Sequence, residues 1–227
     1  MLKEKIDVLK RELVGYATHI ETMIEKSING LLLKKTALLE SIIEKDEPVA
    51  NSFEIKIEEM CVNTLAQFQP MAKDLRFILM ILKIVNDLER IGDHAVNIAD
   101  GAIFLIDKPP VKPLIDIPRM SEGAVKMMKD SIDAFINEDA NLAADVLKRD
   151  NYIDQLHTQI LRELVTYMSA DPSTIERALQ LTRIAKNLER IADLSTNICE
   201  DVIYIAKGTI VRHNHTEFFN MKNKPKE

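Results

Sequence analysis

The sequence predicts an all-α protein, built as two tandem three-helix bundles related by internal duplication. Three observations carry that expectation. Apolar residues recur at three- and four-residue steps through long segments, the spacing of an amphipathic helix. The segment NDLERIGDHAVNIAD, residues 86–100, returns a hundred residues later as KNLERIADLSTNICE, residues 186–200. The chain holds only 6 glycines among 227 residues, too few for the many turns of an all-β fold.

The first repeat is expected over residues 1–108. Ile6, Leu9, Leu13, Tyr16, Ile20, Met23 and Ile24 mark a long opening helix, with a break between Gly30 and Thr36. A second long segment runs from Leu38 to Gln69, with Pro48 predicting a bend or restart, because proline has no amide to donate. QPMAKDLR turns the chain at Pro70. Asp74 is expected to cap the third helix, where acidic residues suit the orphan amides and the dipole. That helix carries the repeated segment and ends near Asp107.

Pro109, Pro110, Pro113 and Pro118 crowd the next stretch, so residues 109–118 read as a linker. The second repeat is expected over 119–208. One helix spans Pro118 to Ile136. Another spans Asp139 to Met168, with Asn137 as N-cap. A turn follows at Pro172. A last helix runs from Thr174 to Lys207, stopped by Gly208. Residues 209–227 lack periodicity and read as a flexible tail.

The bulk properties narrow the function. A formal net charge of −6, with basic residues scattered, argues against nucleic-acid binding, which needs a clustered basic surface. No run of about 18 apolar residues predicts a membrane span. The N-terminus MLKEKIDVLKREL has no apolar core of a signal peptide. Cys61 and Cys199 lack CxxC spacing and suit buried positions on helices in a reducing compartment. The expected location is the cytoplasm.

The repeated segments have a definite helical geometry. With Glu89 at 0° on a wheel of about 100° per residue, Asp93 falls near 40°, Asn97 near 80° and Asp100 near 20°. Leu88, Ile91, Ala95, Ile98, Ala99 and Ala102 fall on the opposite, core-facing side. The second copy places Glu189, Asp193, Asn197 and Glu200 on one stripe, with Asp201 beside it. Two readings follow. The stripes are solvated faces with local pairs to Arg90 and Arg190, or they are sites for a hard, oxygen-seeking metal ion. Duplication alone does not decide between them, since copied genes keep residues by descent.

DLERIGDHAVNIAD and NLERIADLSTNICED resemble the twin E(D)xxxD signatures of the PhoU family, accessory regulators of the bacterial phosphate-specific transport system. MCVNTLAQFQPMAKDLR looks like that family's cysteine-bearing helix and its Gln-Pro and Asp-Leu-Arg turn. RDNYIDQLHTQI and IERALQLTRIAKNLERIAD look like the matching parts of the second repeat. The resemblance covers nearly the whole chain except about the last 15 residues.

The resemblance implies two three-helix bundles and divalent or trivalent metal ions, iron or zinc foremost, at Glu89, Asp93, Glu189 and Asp193. Asn97, Asp100, Asn197, Glu200 and Asp201 lie along the same stripes as second-tier candidates. It also implies a regulator rather than an enzyme. Such a protein restrains phosphate uptake and the phosphate-starvation response through the transporter's ATPase subunit and a sensor histidine kinase, with a homodimer expected. Ala192 and Leu194 stand where the first copy has Gly92 and His94, so a histidine contribution is open only to the first stripe. A metal-storage protein, an accessory of another phosphate carrier and a plain interaction module remain as alternatives.

The smaller signals are bland. His94 reads as a boundary histidine. Asp154 and His157 give one acid-x-x-His pair, short of a ferritin-like di-iron set. The ten methionines read as packing. No nucleotide loop or catalytic triad is visible.

Overall fold

The computed structural model describes residues 1–207; the expected Gly208 stop and the tail beyond it lie outside the described residues. Seven α-helices occur among them, and no strand: α1 (Leu2–Leu33), α2 (Thr36–Ser41), α3 (Glu47–Phe68), α4 (Ala72–Ile106), α5 (Asp116–Asn137), α6 (Ala140–Ala170) and α7 (Ile175–Lys207). α1, α2, α3 and α4 pack as one bundle, and α5, α6 and α7 as the other.

α1 ends where Lys34 turns left-handed, at φ 52°, and the Lys35 amide returns to Gly30 O at 2.9 Å. Gly30 itself is required by close approach. A Cβ there would sit 2.4 Å from Leu39 Cδ2 on α2. The expected single segment from Leu38 to Gln69 is divided. α2 is followed by a π-helical turn, Ile42–Asp46, and α3 restarts with Pro48 in its first turn. Proline offers no amide to the preceding turn, and the wider turn absorbs the missing bond. His19 Nε2 and Lys26 Nζ, both from α1, bond Asp46 at 2.8 and 2.7 Å and hold this turn in place.

Three boundaries differ from the sequence expectation. Met71, in extended backbone, precedes α4 as its N-cap, while Asp74 sits inside the first turn. Asp74 there still suits the helix dipole, without capping. Asn137 closes α5, and Asp139 is the N-cap of α6, accepting from the Asn141 and Leu142 amides at 2.8 and 3.1 Å. Asp and Asn cap equally well; the left-handed Glu138 (φ 54°) between them reverses the chain and leaves only Asp139 in capping position. α5 begins at Asp116, so Pro118 lies in its first turn rather than in the linker. First-turn amides have no intrahelical acceptor, which makes proline tolerable there.

The two bundles share one continuous core. The wheel assigned its α4 face correctly: Leu88, Ile91, Ala95, Ile98, Ala99 and Ala102 are buried, and so are their α7 counterparts Leu188, Ile191, Ser195, Ile198, Cys199 and Val202. α4 and α7 form the seam and run antiparallel. Lys83 meets Asp201, His94 meets Asn187, and Gly101 faces Ile184. α1 and α5 add a second contact between the halves, and Phe77 of α4 stacks on Phe135 of α5 at 4.7 Å. Both cysteines are free and buried. Burial and then Glu58 push the Cys61 thiol up to about 12, and burial likewise raises Cys199.

Candidate functional site

Each repeat sets four carboxylates on one face. Glu89 and Asp93 stand one turn apart on α4, facing Glu54 of α3, with Glu58 one turn along α3 from Glu54. Glu189 and Asp193 repeat the arrangement on α7, facing Asp150 and Asp154 of α6. Their mutual influence shows in their ionisation. Burial holds Glu89 above its ordinary pKa, and Asp93 and Glu54 raise it further. Glu54 is raised by burial, then by Glu58 and Asp93. Burial and Glu189 raise Asp193 against the opposing Arg190. Asp150 is pushed up to about 7, by burial first and then by Asp154, Asp193 and Glu189. Partly desolvated, crowded carboxylates are relieved by a proton or a cation.

The two faces are not copies of each other. In the second, Lys186 Nζ donates to both oxygens of Glu189 at 2.7 and 2.6 Å, and Arg190 donates to Asp193 at 2.9 Å. Asn86 holds the position equivalent to Lys186 in the first repeat. Arg90 turns instead toward Asp87, at 3.6 Å. Among the described residues, no lysine or arginine lies within ion-pair distance of Glu89 or Asp93.

Tyr16 of α1 closes the first face from below. It is 0% exposed, stacked on Phe53 at 5.6 Å, and its hydroxyl has no hydrogen-bond partner among the described residues. Burial, then Glu54, Glu89 and Asp93, hold its pKa well above the ordinary phenol.

The remaining candidates divide. Asn97 and Asp100 are exposed and continue the first stripe. Asn197 and Glu200 are half-buried and open onto a cleft of about 560 Å³ at the seam, shared with Asp87, Arg90, Asp150 and Arg190. Asp201 does not lie on the acidic stripe. It is 3% exposed, and Lys83 donates to both of its oxygens across the seam. One helical step past Glu200 turns it from the stripe's edge into the α4 contact. His94 is also held at the seam. Asn187 donates its own amide to Arg183 O, so its Oδ1 accepts from His94 Nδ1 at 2.8 Å. Burial lowers the His94 pKa despite that bond.

Sequence reasoning missed Glu54, Glu58, Asp150, Tyr16 and Asp87. A signal was present: Glu54/Glu58 and Asp150/Asp154 are both acidic pairs at i, i+4 on the middle helix of each repeat. Asp87 is 7% exposed with Oδ2 lacking a partner, and burial pushes it up to about 6 against Lys83 and Arg90.

The donor chemistry on each face suits a hard cation: all oxygen, negatively charged, with a buried partnerless oxygen at each, Tyr16 Oη and Asp150 Oδ1. Among the described residues, no three His, Cys, Asp or Glu side chains converge as a ready ligand set. Binding an ion therefore requires side-chain rotations on these helices.

Fold and faces together define a duplicated helical-bundle protein, in which, among the described residues, no helix is long and apolar enough to cross a membrane. The PhoU domain model matches residues 13–102 and 117–202, one copy per bundle, and the chain belongs to the PhoU family. It is 40% identical to the phosphate-specific transport system accessory protein PhoU homolog of Aquifex aeolicus, over 94% of this chain and 96% of that one. It is 32% identical to the accessory protein PhoU of Escherichia coli, over 92% and 86%. The crystal structure of PhoU from Pseudomonas aeruginosa superposes with a TM-score of 0.87 at 35% identity, covering 92% of this chain and 100% of that one. The phosphate transport system regulatory protein PhoU from Streptococcus pneumoniae superposes at 0.86 with 28% identity, covering 93% and 99%.

Proposed function

We propose that this protein is a cytoplasmic regulator, not an enzyme. It restrains phosphate import and keeps the phosphate-starvation response off while phosphate is plentiful. It acts by contact with the transporter's ATPase subunit and a sensor histidine kinase. The observation that carries this reading is family membership along nearly the whole chain, with relatives named as accessory proteins of phosphate-specific transport. Two features support binding over catalysis. Both cysteine thiols are buried and held protonated, which removes them as nucleophiles. The polar groups that stand out are carboxylates on rigid helices, suited to holding cations or partners.

In the same reading the twin faces bind metal, Glu89 and Asp93 in one and Glu189 and Asp193 in the other, with iron or zinc as first candidates. Bound ions would neutralise the faces and could join two chains as a homodimer. A deletion strain grown in rich phosphate tests the regulatory role through its alkaline phosphatase activity. Raised phosphatase, restored to low levels by the intact gene, is the expected result. Normal repression in the deletion strain refutes it. The crowded carboxylates also favour a second reading, metal storage without a phosphate role. Purified ATPase subunit and kinase that fail to bind the protein, metal-loaded or not, would select that reading.

A further inference from the structure

We propose that the two acidic faces are unequal cation sites, and that the first, formed by Glu54, Glu58, Glu89 and Asp93, takes its ion ahead of the second. The inference rests on the metal reading above and goes further by ranking the sites. The second face carries its own counter-cations. Lys186 holds both oxygens of Glu189, and Arg190 holds Asp193. An incoming ion must displace these bonds before the carboxylates can ligate. The first face has no such competitor, since Asn86 replaces the lysine and Arg90 pairs with Asp87.

Tyr16 is an independent sign of a ligand at the first face. A fully buried hydroxyl without a partner is costly, and this one stands beside Glu54, Glu89 and Asp93. When an ion and its water enter the face, the phenol gains a partner. The second repeat has no such phenol: Ser27 and Ser131 bond the equivalent carbonyls of Ile24 and Met128, that register puts Met120 at the position of Tyr16, and the partnerless oxygen of the second face, Asp150 Oδ1, belongs to one of its own carboxylates.

Equilibrium dialysis of the full chain against Mn²⁺, and separately Zn²⁺, tests the ranking. Variants carry Glu189→Gln with Asp193→Asn, or Glu89→Gln with Asp93→Asn, and circular dichroism confirms that each is folded. The first variant is expected to keep the tighter site. The second keeps only a site weaker by about five- to tenfold, the worth of displacing one or two partly exposed ion pairs. Lys186→Gln with Arg190→Gln should tighten the second site alone, and Tyr16→Phe should weaken the first alone. Equal affinity in the two face variants, or tighter binding by the second face, overturns the ranking and leaves the metal reading standing. No binding of either ion by the unaltered chain overturns both.

Discussion

Lys83 of α4 reaches across the seam and donates to both carboxylate oxygens of Asp201 of α7, joining two halves whose partners lie 118 residues apart in the chain. The carboxylate is buried, while the lysine side chain stays partly exposed. Removing the cation from a buried pair costs more than forming the pair gains. Lys83→Met should therefore lower stability by about 1–3 kcal/mol, measured as a shift in the urea midpoint at neutral pH. An exposed lysine such as Lys148 should give a change within about 0.5 kcal/mol when replaced the same way.

Asp87 should make stability fall as pH rises. Its pKa is about 6 in the folded protein, above the 3.8 of an ordinary aspartate, with burial as the main cause. The folded state thus holds the proton more tightly than the unfolded chain. The favourable contribution is complete below about pH 4 and lost as pH climbs through about 6. Asp87→Asn should stabilise the protein by on the order of 1–2 kcal/mol at pH 8 and by nearly nothing at pH 3.5. Thermal unfolding at the two pH values reads the difference.

Gly30 and Leu39 should behave as a coupled pair. A methyl at Gly30 collides with the buried Leu39 side chain, so Gly30→Ala should cost about 1–3 kcal/mol by overpacking. Leu39→Ala costs stability by leaving a cavity. The double variant should lose less than the sum of the two, because the new methyl enters the space the leucine vacates. Additive losses in a double-mutant cycle would contradict this packing.

The two thiols should be inert in the native state. Cys61 and Cys199 are buried, and burial holds both protonated. Ellman's reagent at pH 8 should label neither over minutes in buffer and both at once in denaturant. Rapid native labelling of Cys61 would show that α3 opens away from the core.

The sequence made the third helix of each repeat legible because one stripe of carboxylates lies opposite one stripe of Leu, Ile and Ala, and a wheel separates them. Glu89, Asp93, Glu189 and Asp193 could be placed that way. Glu54 and Glu58 could not, since α3 interleaves them with Lys56 and Glu59, and a wheel does not report which neighbour a charged face meets. The duplication also hides its own register. Leu88 recurs as Leu188, but Ile57 recurs as Ile153 and Ser27 as Ser131, because the connecting turns differ in length. A single spacing along the chain therefore aligns only one helix of three. Tyr16 was visible as a core position, and its orphan hydroxyl was not, because a missing partner is a property of packing. Asp201 shows the limit from the other side: one residue from Glu200, it belongs to the α4 seam.

The antiparallel course of α4 and α7 has an implication for how such a chain could arise. Matching helices that cross head to tail are related by a twofold axis, the symmetry of a dimer of identical subunits. A lone ancestral repeat would have exposed that apolar seam and closed it by pairing with a second copy of itself. With the copies joined through residues 107–115, pairing does not depend on concentration, and neither half has to match its own image. Gly101 faces Ile184, whereas its counterpart in the second repeat, Asp201, receives Lys83. Fusion of this kind frees one gene to give its two faces different tasks.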